Sequence, residues 1–172
     1  MKFVNSWAAF LILVLLQQSM KEIGADLISN TCGKTHDSGL CQKSLRSNPR
    51  GARARDAKEL THVMYGIVLS SATTTLAQVK KLLTRAKGDA LPMCSSIYGR
   101  IVNEKVPNAY RNFDSKSYVT AASVMTDVMN QAEACEMVFR SVPDHSKSPI
   151  TDKNNMVMAL SEIASQLTTH LA

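Results

Sequence analysis

The sequence predicts an all-α fold, an antiparallel up-and-down four-helix bundle preceded by a disulfide-closed arm. Three observations carry this reading. Four long segments repeat apolar residues at intervals of three and four, the signature of helices with one buried stripe. Strand signals are scarce, with no Asn-Gly or Asp-Gly hairpin pair and no sustained alternation. Four cysteines, Cys32, Cys41, Cys94 and Cys135, follow an apolar leader, so export into an oxidising compartment makes two disulfides the expected state.

The leader is residues 1–25. Lys2 supplies positive charge, and Ala8 to Leu16 is an uninterrupted apolar run of nine residues. A bilayer span needs about 20 apolar residues, whereas a signal-peptide core takes about 7–15. Small Gly24 and Ala25 place cleavage after Ala25, leaving one domain over residues 26–172. Within it, residues 26–55 form the arm and residues 56–172 the bundle. The expected product is secreted to the extracellular space or apoplast, with the vacuole as a second destination, and has no membrane association after cleavage.

In the arm, Cys41 and Leu45 suggest a short helix, ended by Asn48-Pro49-Arg50-Gly51. A segment this short buries little surface alone, which accounts for a staple there. Whether the arm packs on the bundle or projects from it is open. The first bundle helix runs from Asp56 to about Ala86, with Asp56 and Glu59 resembling a capping box. Its expected stripe is Leu60, Met64, Ile67, Ser71, Thr74, Val79 or Gln78, Leu82 and Ala86, and Gly88 offers a stop. The second helix starts near Asp89 and buries Leu91, Cys94, Ile97 or Tyr98, and Ile101. Pro107 kinks or restarts it, because proline removes a donor and clashes with the preceding turn.

Asn112 to Ser117 then reads as a connection. The third helix follows with Ala121, Met125, Val128, Ala132, Cys135 and Phe139 at heptad-like spacing. Ser141 to Pro149 is the next loop, and the last helix begins near Thr151 with Met156, Leu160, Ile163, Leu167 and Leu171 as its stripe. Spacing alone leaves three cysteine connectivities open. Antiparallel neighbours bring Cys94, early in the second helix, to Cys135, late in the third, which favours Cys94–Cys135 and hence Cys32–Cys41. The chain-entropy model assigns about 2.7 kcal/mol to the short loop and about 4 kcal/mol to the long one.

Charge narrows the partners. The chain has 20 Lys+Arg against 14 Asp+Glu, a net charge of +6. A basic secreted protein meets acidic polysaccharide, anionic membrane or an acidic protein; secretion and the lack of a binding motif argue against nucleic acid. Arg46, Arg50, Arg53, Arg55 and Lys58 form one basic run, and Lys80, Lys81, Arg85 and Lys87 another. Catalysis is not expected: His36, His62, His145 and His170 are scattered, and no Gly-x-Ser-x-Gly or His-Glu-x-x-His occurs. No metal or other cofactor is expected, since no cysteine pair has the two-to-four-residue spacing of structural zinc sites. Tyr65, Tyr98, Tyr110 and Tyr118 are the aromatic anchors available to an interface.

Three passages carry a family resemblance. The first is Thr31 to Gly51, with the cysteine pair, a leucine and an Asn-Pro-Arg turn. The second joins Cys94 and Tyr98 to the alanine-rich helix from Tyr118 through Cys135, Glu136 and Phe139. The third is Ser148-Pro149-Ile150-Thr151 before the final amphipathic helix. Together they resemble the plant inhibitor family that acts on invertases and pectin methylesterases, and are most similar to its pollen-allergen branch. The resemblance implies an N-terminal helical hairpin on the four-helix bundle and pairing of first to second and third to fourth cysteines. It also implies a protein that blocks an extracellular carbohydrate-active enzyme in a one-to-one complex by covering its cleft.

Invertase inhibitors of that family carry Pro-Lys-Phe between the second and third bundle helices. Here the loop reads Asp114, Ser115, Lys116, Ser117 and Tyr118, so Lys116 matches the lysine while Ser115 and Ser117 replace its neighbours, and Tyr118 offers a ring one position late. A cation suits the paired carboxylates of a glycosidase pocket. The departure nevertheless places pectin methylesterase ahead of acid invertase as the expected target. These five residues are the candidate partner contacts. A non-inhibitory helical carrier or membrane-active protein is the remote alternative.

Overall fold

A computed structural model describes the backbone of residues 3–84, 88–141 and 147–172, with side chains from 7–14 and from residue 26 onward over those ranges. Among the described residues all regular structure is helical: α1 (Phe3–Cys32), α2 (Ser38–Ser47), α3 (Ala57–Leu83), α4 (Ala90–Arg100), α5 (Val106–Asp114), α6 (Tyr118–Ser141) and α7 (Thr151–Thr169). The expected Ala86, Arg85, Lys87 and His145 lie outside the described residues, as does most of the loop before Pro149.

The bundle is antiparallel and up-and-down. Helix α3 packs on α4 and α7, and α6 packs on α5 and α7. Helices α6 and α7 bury small residues, Ala121 and Ala132 on the first and Ala164 on the second, all fully buried. Small side chains let the two helices approach closely enough for Ser165 Oγ to donate to the Ala122 carbonyl at 3.0 Å. The core holds Leu60, Met64, Tyr65, Tyr98, Ile101, Phe113, Met125 and Ile163, none more than 1 % exposed.

Helices α4 and α5 are one rod with a defect. Between them Ile101–Lys105 is a π-helical turn in which the Val106 N–H reaches back five residues to the Ile101 carbonyl. Pro107 explains it: the ring cannot donate and clashes with the carbonyl four residues back, so the chain widens by one residue just before it. The rod continues to Asp114, two residues past the expected start of the connection at Asn112.

Helix α3 begins as expected at Asp56, whose Oδ1 accepts the Glu59 N–H at 2.7 Å. The reciprocal half of the box is shifted by one residue, with Glu59 Oε2 accepting from the Arg55 N–H at 2.9 Å. The Arg55 guanidinium also donates to Glu59, and these hydrogen bonds hold the carboxyl below its ordinary pKa. The stripe is corrected in the middle of α3: Val68, Ala72 and Thr75 are buried, while Ile67 and Ser71 are half-buried and Thr74 exposed. At 3.6 residues per turn the buried line drifts against a strict three-four count, and the core follows Val68 to Thr75. The same drift on α7 buries Asn154 and Val157 and leaves Met156 44 % exposed.

Both disulfides have the expected pairing. Cys32–Cys41 closes the hairpin of α1 and α2 with Cα atoms 5.6 Å apart, and Cys94–Cys135 joins α4 to α6 at 5.0 Å. No cysteine is free. The arm lies against the bundle rather than projecting: the His36 N–H donates to Gln166 Oε1 at 3.0 Å, His36 Nδ1 is 2.9 Å from Glu162 Oε1, and His170 Nε2 lies 3.0 Å from the Lys34 carbonyl. At the opposite end a polar chain links three helices. The Tyr98 hydroxyl donates to Asn154 Oδ1 (2.8 Å), Asn154 Nδ2 donates to Glu136 Oε2 (2.6 Å), and Thr151 Oγ1 donates to Glu136 Oε1 (2.6 Å).

Further toward the N-terminus, α1 leaves Trp7, Phe10, Leu11, Ile12 and Leu13 each more than half exposed. Among the described residues no helix is long and apolar enough to cross a membrane.

Candidate functional site

The up-and-down order gathers five things at the arm end of the bundle: the start of α3, the end of α5, the connection to α6, the end of α7 and the arm itself. The connection is built by the way α5 stops. The Ser117 N–H bonds the Asn112 carbonyl at 2.8 Å, and the Lys116 N–H bonds the Phe113 carbonyl at 3.0 Å. This nested pair is a Schellman motif. Its penultimate position requires a left-handed residue, normally glycine, and here Lys116 occupies it with φ 62°. Among the described residues it is the one non-glycine with positive φ.

Asp114, Ser115, Lys116 and Ser117 are all exposed. The Ser115 N–H is spent on the Arg111 carbonyl (3.1 Å), and Ser115 Oγ donates to the Asn112 carbonyl (3.0 Å). The short turn thus satisfies its own backbone and leaves the Lys116 ammonium pointing to solvent without an ion-pair partner among the described residues.

Beneath the turn lies an aromatic platform. Phe113 is fully buried and meets Tyr118 edge-on at 5.4 Å and Tyr65 at 5.3 Å. Tyr65 meets Tyr110 at 5.3 Å, and Tyr110 meets His62 at 4.8 Å. Three of these pairs are edge-on and the Tyr65–Phe113 pair is tilted; aromatic pairs of this kind each contribute about 0.5–1.5 kcal/mol beyond burial, so the turn stands on a stiff base. Burial, aided by the Asp114 carboxylate, raises the Tyr110 hydroxyl pKa, and Arg50 opposes the shift. Burial pushes Tyr65 up to about 12. The Asp114 carboxylate sits 3.7 Å from His62 Nε2, tying the turn's rim to α3.

The five residues expected as partner contacts therefore form one continuous rim, with one change of role. Tyr118 is half-buried and folded onto Phe113, so its ring supports the turn instead of projecting from it. Two of the four expected tyrosine anchors belong to the core: Tyr65 and Tyr98 are fully buried, their hydroxyls bonded to Thr168 (2.8 Å) and Asn154. The sequence did not single out His62 as part of the site, and Tyr110, expected as an interface anchor, is half-buried within this platform. Their signal was the matched spacing of His62 with Tyr65 and of Tyr110 with Phe113, two i,i+3 ring pairs on helices that must face each other.

Chemically the rim offers one cation, two hydroxyls and a carboxylate on a rigid mount, the inventory of a contact surface. Among the described residues no group of three or more His, Cys, Asp or Glu is placed to hold a metal ion.

Comparison with known proteins agrees with this architecture. Two solved structures share the fold. One is a mutant form of a pectin methylesterase inhibitor from Arabidopsis, with TM-score 0.68, 18% identity, and 84% of this chain and 97% of that one covered. The other is a pectin methylesterase inhibitor from Arabidopsis thaliana, with TM-score 0.61, 16% identity, and coverage of 84% and 95%. No curated protein matches the sequence. The family profile described as plant invertase/pectin methylesterase inhibitor matches residues 26–169. By that match the chain belongs to the plant invertase/pectin methylesterase inhibitor family, whose members are proteinaceous inhibitors rather than enzymes.

Proposed function

We propose that this chain is a secreted inhibitor that covers the active-site cleft of a plant cell-wall carbohydrate-active enzyme, pectin methylesterase ahead of acid invertase, in a one-to-one complex. The observation that carries it is Lys116, a solvent-facing cation held at φ 62° on the exposed turn. A left-handed non-glycine residue costs about 1–2 kcal/mol. Strain of this kind collects at functional contacts. The family match beginning at residue 26 supports removal of residues 1–25 and delivery to the apoplast.

The target order rests on the turn. A proline at Ser115 would forfeit the bond from its N–H to Arg111, and the nearest ring, Tyr118, is turned inward. The invertase reading retains one specific support, the match of Lys116 to the motif lysine.

Titration of the disulfide-bonded protein against plant pectin methylesterase and acid invertase in parallel tests the proposal. Stoichiometric inhibition of the esterase alone is the expected result. Inhibition of invertase alone reverses the target order, and inhibition of neither across several pH values removes the inhibitor reading for both.

A further inference from the structure

A second surface at the arm end carries a chemistry that the Lys116 turn lacks. Arg50, Arg53, Arg55, Glu59, His62 and Val63 line a cleft of about 390 Å³. We propose that this cleft binds the carboxylates of an acidic, uronate-bearing polysaccharide, independently of any enzyme held at the Lys116 turn.

The arginines are aimed by a rigid backbone. Gly51–Arg53 is a 3₁₀ turn, and side chains three apart on such a turn eclipse, so Arg50 and Arg53 stand on one side. The turn is fixed from below. The Arg50 N–H donates to Asn48 Oδ1 at 2.9 Å, Ala52 N–H bonds the Asn48 carbonyl at 3.2 Å, and Gly51 packs directly against the Leu45 carbonyl. Arg50 and Arg53 have no ion-pair partner among the described residues.

The cleft's own acid is already committed. Glu59 Oε1 accepts from Arg55 Nη2 at 2.6 Å and Nε at 3.1 Å, leaving Arg50 and Arg53 as cations of the lining that this carboxylate does not neutralise. Planar guanidinium forks pair with carboxylates through two parallel bonds, a geometry that lysine cannot reproduce, and no lysine lines the cleft. A concave, arginine-lined site favours a thin polyanion over a flat protein surface, and the chain's net charge of +6 draws such a polymer in.

The test uses the full chain, produced through an oxidising secretory pathway, titrated with polygalacturonate and with highly methyl-esterified pectin at about 0.15 M salt. We expect polygalacturonate to bind and the methyl ester, which lacks the charges, to bind at least about tenfold more weakly. The double variant R50Q/R53Q should lose about tenfold or more in affinity. The charge-matched K80Q/K81Q, altered in the last turn of α3, should stay within about twofold. R50K/R53K, which keeps charge but not the fork, should fall between the two double variants.

Equal losses from R50Q/R53Q and K80Q/K81Q would reduce the effect to net charge and overturn the site. Undetectable galacturonan binding, with R50Q/R53Q abolishing inhibition of an esterase, would assign the cleft to a protein interface and also overturn it. The binding measurement contains no enzyme, so it stands whether or not the chain inhibits one.

Discussion

Lys116 occupies a backbone position where a lysine is thermodynamically costly, so replacing it separates what the fold wants from what a partner wants. In Lys116→Gly the left-handed conformation at φ 62° becomes free of the Cβ clash, a gain of about 1–2 kcal/mol. Glycine returns part of that, roughly 0.5–1 kcal/mol, through its larger freedom in the unfolded chain. The net is a stabilisation of about 0.5–1 kcal/mol, or about 1–4 °C in Tm for a domain of this size. Lys116→Ala keeps the Cβ and removes a side chain without an ion-pair partner, so its stability should match the parent within about 0.5 kcal/mol. Lys116→Val should be the least stable, because a branched Cβ tolerates positive φ worst. Urea and thermal unfolding followed by circular dichroism give the ranking. An order in which glycine is no more stable than lysine, or valine no worse than alanine, would refute the strain argument. Inhibition should follow a different ranking: if the cation is the contact, alanine and glycine lose inhibition equally despite their different stabilities.

Three further outcomes follow from the packing. Gly51→Ala would drive a Cβ onto the Leu45 carbonyl; backbone cannot rotate away, so a loss of about 1–3 kcal/mol is expected by denaturant unfolding. Asn154→Ala strands the buried Tyr98 hydroxyl and should cost about 1–3 kcal/mol, whereas Tyr98→Phe combined with it should recover part of that loss in a double-mutant cycle. Because folding raises Tyr65 to about 12, its contribution is whole below the unfolded value near 10 and is lost as pH climbs through about 12. Tyr65→Phe should therefore flatten the fall in stability between about pH 10 and 12, at a cost near neutrality of about 1 kcal/mol for the bond to Thr168.

The parts of the fold that follow from local rules were legible in the sequence. Asp56 and Glu59 announced the start of α3, Cys94 and Cys135 were placed together by antiparallel order, and the alanine seam of α6 was visible as a heptad. Features that depend on three-dimensional accumulation were not. The buried line on α3 slid from Ile67 to Val68 because a fractional helical period adds up over 27 residues. Pro107 promised a kink, but the widened turn before it is the bundle's way of keeping the rod continuous. At the candidate site the polar stretch Asn112 to Ser117 was readable as a connection, while the choice of Asp114 to Tyr118 as contacts came from the family resemblance. Lys116's left-handed backbone was not readable, since nothing in Ser-Lys-Ser substitutes for the glycine such a turn normally advertises. Tyr65 and Tyr98 looked like anchors because a tyrosine's type does not say whether its hydroxyl will find Thr168 or Asn154 inside the core.

The Cys94–Cys135 bond closes a covalent ring through α4, α5, the turn and α6, with Lys116 at the far end from the bond. An exposed lysine on a turn is a natural cleavage point for extracellular proteases with basic specificity. A single cut after Lys116 would not release either half: both strands of the break remain joined through the disulfide at one end and buried against α3 and α7 along their length. The nicked molecule would migrate as one species without reductant and as two with it. A protein built this way can lose a peptide bond at an exposed turn and still hold the two broken ends side by side.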